Sequence, residues 1–184
     1  LGALIGLAFI RVTTHFLDQH EDISIGKLDA LDARRILLVV VVMSLHSFSE
    51  GVGIGVSFGG ADGSRLGVLI SLSLAVHNVP EGLAVALVMQ PRGVTTLDAA
   101  LWCIFTSLPQ PVMAVPAFLF VQHFEPFLPV GMGFAAGAML HVAILELLAD
   151  ALKELRLDLA MSTTGTSFAV MCLIQFLIND STLN

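Results

Sequence analysis

Residues 36–45 and 66–76 contain no charged side chain and almost no polar one. Such runs constrain the fold more than any other feature of this chain. A run of about 20 apolar residues crosses a hydrocarbon core of about 30 Å, and only helices and closed barrels satisfy their backbone there. Only 12% of the 184 residues are charged, against about 25% in soluble domains. The spacing and length of the runs predict an all-α fold, a polytopic transmembrane helix bundle of about six helices in a single membrane domain. The spans are expected at about 1–16, 36–58, 66–89, 97–121, 127–148 and 161–178, with a cytoplasmic acidic loop at 17–35.

The basic residues orient this bundle. Loops on the cytoplasmic side are enriched in Lys and Arg. The first connection holds Lys27, Arg34 and Arg35, with Arg11 nearby; the third holds Arg92, and the fifth Lys153 and Arg156. Seven of the eight basic residues therefore fall on one side, Arg65 being the exception. The odd-numbered connections are expected to be cytoplasmic. The chain starts at Leu1 inside an apolar run and reads as part of a longer protein. Eight scattered Lys and Arg are too few for nucleic acid. Cys103 and Cys172 lie in apolar stretches and read as thiols, not as a disulfide or metal pair.

Two strings break the apolar pattern: His46-Ser47-Phe48-Ser49-Glu50-Gly51 and His77-Asn78-Val79-Pro80-Glu81-Gly82. Positions i and i+4 share a helix face, so each helix presents one imidazole beside one carboxylate. His46 lies ten residues into its span and His77 eleven, which is roughly 15 Å deep at about 1.5 Å per residue. The helices run in opposite directions, so the motifs meet near the midplane. A carboxylate there costs about 3 kcal/mol on insertion scales, and two would repel each other. A divalent cation removes both penalties. Imidazole with carboxylate suits zinc, or iron or manganese, better than calcium. His46, Glu50, His77 and Glu81 are the expected metal ligands; the bland alternative is polar residues bonded between helices.

Other residues leave alternatives open. Ser47 and Asn78 follow the two histidines and fit either a second metal position or hydrogen bonds between helices. Pro80 removes a backbone donor, so its helix is expected to bend there. Gly51, Gly55 and Gly59 repeat every four residues, as in close helix packing, and Gly51 and Gly82 would each admit a neighbouring helix. Pro109-Gln110-Pro111 breaks a span and offers the Gln110 amide to the bundle interior. Glu146 and Asp150 are a possible exit for metal or an ordinary helix end, and His141 is poorly spaced to join Glu146. His123 and Glu125 fit a point of metal access on the opposite side. The first connection reads as a solvated acidic loop or, with His15 and His20, as a weak metal trap.

Through the two motifs the chain resembles the ZIP (Zrt- and Irt-like) family of metal transporters. Ala135-Ala136-Gly137-x-Met139 leading to Glu146-Leu147-Leu148 adds to the likeness, and the wording of Ser107 to Pro116 resembles plant and bacterial members. The resemblance implies eight transmembrane helices, of which this chain would hold the third to eighth. It implies a binuclear site on the second and third spans here, import into the cytosol, and a homodimer in which a four-helix unit moves against a scaffold. Many relatives have Glu-Pro where this chain has Gln110-Pro111, and Pro where it has Ala149. The expected function is transport of a divalent transition metal, zinc above all, with lipid as surroundings, no prosthetic cofactor and no enzymatic step. An intramembrane metalloprotease would need His-Glu-x-x-His, which is absent. A metal-binding sensor is the other rival.

Overall fold

The computed structural model describes residues 1–18, 30–59 and 63–183. These form nine α-helices: α1 (Gly2–Asp18), α2 (Ala30–Gly59), α3 (Gly63–Met89), α4 (Thr96–Ser107), α5 (Pro109–Leu119), α6 (Val121–Phe124), α7 (Leu128–His141), α8 (Ala149–Glu154) and α9 (Leu157–Leu183). A π-helical stretch, Val142–Leu148, joins α7 to α8. Five segments are long and apolar enough to cross a membrane: Asp32–Gly59, Gly63–Arg92, Thr96–Leu119, Val121–Lys153 and Leu157–Ile178. Gly2–Phe16 is apolar but shorter. The all-α polytopic class follows directly. The acidic stretch with His20, Glu21 and Asp22 lies outside the described residues.

Helix α2 is the axis of the bundle. It packs against α3, α4, α5 and α7, while α1 lies on α7 and α9 on α3. Ile36, Val39 and Val42 of α2 are fully enclosed, against Val85, Met89, Ala99, Ala138 and Val142. Because α2 is ringed by other helices, polar groups placed on it are shielded from lipid. Helix α9 has an apolar surface with almost no burial in the chain.

One span departs from a plain rod for an identifiable reason. Pro109 and Pro111 withhold two backbone donors, and the helix divides into α4 and α5 at Leu108, whose N–H reaches both Ile104 and Phe105 carbonyls. Helix α3, by contrast, continues through Pro80. The charged residues Asp32, Arg34 and Arg35, grouped with the loop on composition, are helical: α2 begins at Ala30, before its apolar run. Charges at a helix end meet the interface without breaking backbone hydrogen bonds.

The glycine repeat does what its spacing predicts. A Cβ at Gly51 would collide with the backbone carbonyl of Gln110, and one at Gly55 would stand 2.7 Å from Ala117 Cβ. One at Gly59 would meet Val121 Cβ at 3.0 Å. Gly82 behaves differently, with nothing within 4 Å among the described residues. We therefore expect Gly55→Val to force α2 and α5 apart, at a cost of about 3 kcal/mol, the upper end for overpacking. Gly165→Ala, in α9 with open space around it, should be neutral or stabilise by up to about 1 kcal/mol through helix propensity. Thermal unfolding in detergent reads both; an unchanged midpoint for Gly55→Val would contradict the packing.

Candidate metal centre

The face of α2 that carries His46 and Glu50 turns toward α3, and the facing side of α3 carries His77 and Glu81. The i,i+4 spacing works as expected on each helix: His46 Nε2 is 3.4 Å from Glu50 Oε1, and His77 Nε2 is 3.5 Å from Glu81 Oε1. Across the helices, His46 Nε2 stands 2.7 Å from Glu81 Oε1, and the two imidazole centroids are 6.2 Å apart. One ligand atom from each of the four residues lies within 4.8 Å of all the others. Ligand atoms around a tetrahedral zinc with bonds of about 2.1 Å stand roughly 3.4 Å apart. The two separations within each helix are already near that value, while the 2.7 Å approach between helices is shorter than it.

Burial makes this arrangement costly without a cation. Glu50 is 1% exposed and Glu81 8%. Among the described residues, neither Glu50 oxygen has a hydrogen-bond partner, and the same holds for Glu81 Oε1 and both His46 ring nitrogens, whose close contacts are those with one another. The short His46–Glu81 approach thus lacks hydrogen-bond geometry, and proximity alone does not satisfy these atoms. Buried polar groups nearly always have partners; a cluster of orphaned acceptors aimed at one volume has the character of a cation site. The two carboxylates also carry the charge that balances one divalent ion. His77 differs in having its side chain 47% exposed.

The neighbouring polar residues form a second layer. Asn78 Nδ2 donates to Gln110 Oε1 at 2.8 Å, joining α3 to α5. Asn78 Oδ1 is buried without a partner. Ser47 is buried beside His46 on α2. The Asn78 nitrogen is thus held by the amide of Gln110, and its oxygen has no hydrogen-bond partner among the described residues.

The outer candidates are placed elsewhere. Asp150 is held by Arg35 at 3.1 Å, Lys153 at 3.0 Å and Arg92 at 3.4 Å, so basic groups already surround it. The side chain of Glu146 is outside the described residues, and its backbone lies in the π-helical stretch. His123 sits on α6 against Phe120, and Glu125 opens a single 3₁₀ turn. His141 is buried at the end of α7. Sequence reasoning missed the pairing of Arg92 with Asp32 and Asp150, partners that are 60 and 58 residues away. The positive connection was visible; nothing local marks which acid each arginine meets.

The family profile described as ZIP Zinc transporter matches residues 2–175. A zinc transporter candidate of Arabidopsis thaliana is 47% identical over 170 residues, covering 92% of this chain and 28% of that protein. The zinc transporter GufA of Myxococcus xanthus is 35% identical over 155 residues, 81% of this chain and 59% of GufA. The zinc transporter ZIPB of Bordetella bronchiseptica is 32% identical over 132 residues, 72% of this chain and 42% of its own length. The chain thus spans between about a quarter and three fifths of the length of these relatives.

Proposed function

This chain belongs to the ZIP zinc transporter family, and from that premise we propose that it carries the substrate site through which a divalent transition metal, zinc first, crosses a membrane into the cytosol. The observation that carries the reading is the set of buried side-chain atoms of His46, Glu50 and Glu81 that form no hydrogen bond among the described residues, converging with His77 from two membrane-spanning helices. Ser47, Asn78 and Gln110 flank it as a weaker second position, and Glu146 and Asp150 lie toward the release side. The metal is substrate, not a resident cofactor. The protein acts by binding and moving it, with no covalent chemistry, in a homodimer.

Uptake of radioactive zinc by the full-length protein in sealed proteoliposomes, with iron and manganese as competitors, tests the proposal. Time-dependent accumulation that metal competition suppresses is the expected result. Zinc bound in stoichiometric amount without accumulation would favour the sensor reading and refute transport. Cross-linking in the membrane tests the dimer.

The chemistry of the site also sets a pH dependence. Imidazole and carboxylate bind metal only when deprotonated, so metal binding releases protons. Lowering the pH from about 7.5 to about 5.5 should therefore weaken zinc binding, by about tenfold per pH unit for each proton displaced. Titration of zinc into the protein at both values reads the change. An affinity that stays flat over this interval would exclude these side chains as ligands.

A further inference from the structure

The turn of α3 that carries Glu81 is weakly gripped by packing. Among the described residues of α3, none from 68 to 80 is buried; burial resumes at Glu81 and continues with Val85, Val88 and Met89. Pro80 lies directly before Glu81 and has no N–H to offer the Val76 carbonyl. Yet the placement of Glu81 decides the cluster. Its Oε1 stands 2.7 Å from His46 Nε2 across the helices and 3.5 Å from His77 Nε2 on its own helix.

Two side chains of the next span reach this turn, one on either side of Pro80. Gln110 of α5 accepts from Asn78 Nδ2 at 2.8 Å. Cys103 of α4 donates from Sγ to the Gly82 carbonyl at 3.2 Å. The two come from opposite sides of the break at Leu108. The turn of Cys103 is itself anchored: its carbonyl accepts from Thr106 Oγ1 at 3.0 Å and from Ser107 Oγ at 2.9 Å, and Thr106 is buried. A thiol is a weak donor, and a carbonyl oxygen has a second lone pair to give it. In a bilayer core no water competes for that lone pair, and polar contacts between membrane helices hold them together. Gly82 has no side chain for α4 to grip, so this contact runs through the backbone, one residue after Glu81.

We propose that Cys103 is a positioning residue for metal binding: its thiol pins the Gly82 carbonyl and so holds the turn of α3 in the rotation that aims the Glu81 carboxylate at His46. The proposal rests on the metal-binding reading of the four-residue cluster and adds to it a residue that touches no metal. Glu81 and Gly82 are adjacent, so a backbone held at Gly82 leaves little room for Glu81 to swing. Without the thiol the helix persists, because its own hydrogen bonds remain. The carboxylate is then no longer held in place before the metal arrives, and the cost of ordering it falls on binding.

The test is calorimetric zinc affinity of the full-length protein, read beside its metal-free unfolding midpoint. Cys103→Ala removes the donor with little change of volume and should weaken zinc binding about fivefold, the scale of one ordinary hydrogen bond. Cys103→Ser restores a donor and should return the affinity to within about twofold of the parent, the margin expected of unconnected changes. In a Glu81→Gln background Cys103→Ala should cost less than about twofold, because no carboxylate is left to aim, whereas independent effects would add in full. Cys103→Val, likewise without a donor, carries the same expectation if Cys103→Ala fails to insert. Parent affinity in the donor-free variant overturns the positioning role and leaves the metal cluster standing, whatever the unfolding midpoint does. A loss that Cys103→Ser fails to recover, or one that persists in full beside Glu81→Gln, marks general loosening of the bundle and overturns it as well. A parent protein that binds no zinc removes the cluster reading and the positioning role with it.

Discussion

Replacing Glu50 with Gln is expected to abolish zinc uptake and to leave the metal-free protein at least as stable as before. Glu50 is enclosed on α2, and both its oxygens lack hydrogen-bond partners. In the metal-free protein it is a liability, because an unsatisfied buried polar group costs about 1–3 kcal/mol. Bound metal turns the same two oxygens into ligands and supplies the opposite charge. Outer-shell partners of a metal already change affinity by about 10–100-fold, so loss of a direct anionic ligand should weaken zinc binding by at least about 100-fold, or roughly 2.7 kcal/mol. Glu81→Gln should behave similarly, while His77→Ala, at the exposed edge of the cluster, should cost less than His46→Ala. Calorimetric zinc titration, uptake and thermal unfolding without metal together decide the matter. A purely structural role for Glu50 predicts the opposite pattern: lower thermal stability and retained zinc binding.

Most of this cluster is legible in the sequence because two independent physical rules coincide in it. Residues four apart share a helix face, and ionisable residues deep in a membrane are too costly to be incidental. His46, Glu50, His77 and Glu81 therefore stand out from local pattern alone, as does the α-helical membrane-spanning class, which run length and composition dictate. What escapes is set by tertiary contact. Gly51 and Gly82 occupy equivalent places in the two motifs, yet among the described residues only a Cβ at Gly51 would meet a neighbouring backbone. The difference comes from α2 being central and α3 peripheral, which no local pattern records. The π-helical stretch after His141 has the composition of an ordinary helix. The hydrogen bond from Asn78 to Gln110 spans 32 residues, and only the tertiary docking of α5 brings the two amides together. Pro109 and Pro111 foreshadow the division at Leu108, but not that it delivers the Gln110 carboxamide to Asn78.

That amide pair sets the metal stoichiometry expected of the site. One divalent ion is neutralised by the charges of Glu50 and Glu81. A second ion beside Asn78 would need further negative charge, because an uncompensated cation in a dry interior is expensive. Gln110 offers a carbonyl oxygen only, and that oxygen already accepts the hydrogen bond from Asn78. The expected result for the unmodified protein is one tightly bound zinc, with a second bound weakly or not at all. Gln110→Glu places an anion 2.8 Å from the Asn78 amide nitrogen, on the oxygen that now accepts its hydrogen bond. It should raise the calorimetric stoichiometry from about one to about two, as a charged oxygen ligand suits a divalent cation where an amide does not. Turnover should then slow, because conduction requires binding weak enough to let the ion leave. Gln110→Ala separates charge from contact: it breaks the amide pair without adding an anion, so the count should stay at one. Two equally tight sites in the unmodified protein, or an unchanged count in Gln110→Glu, would show that the charge at this position does not govern the second ion.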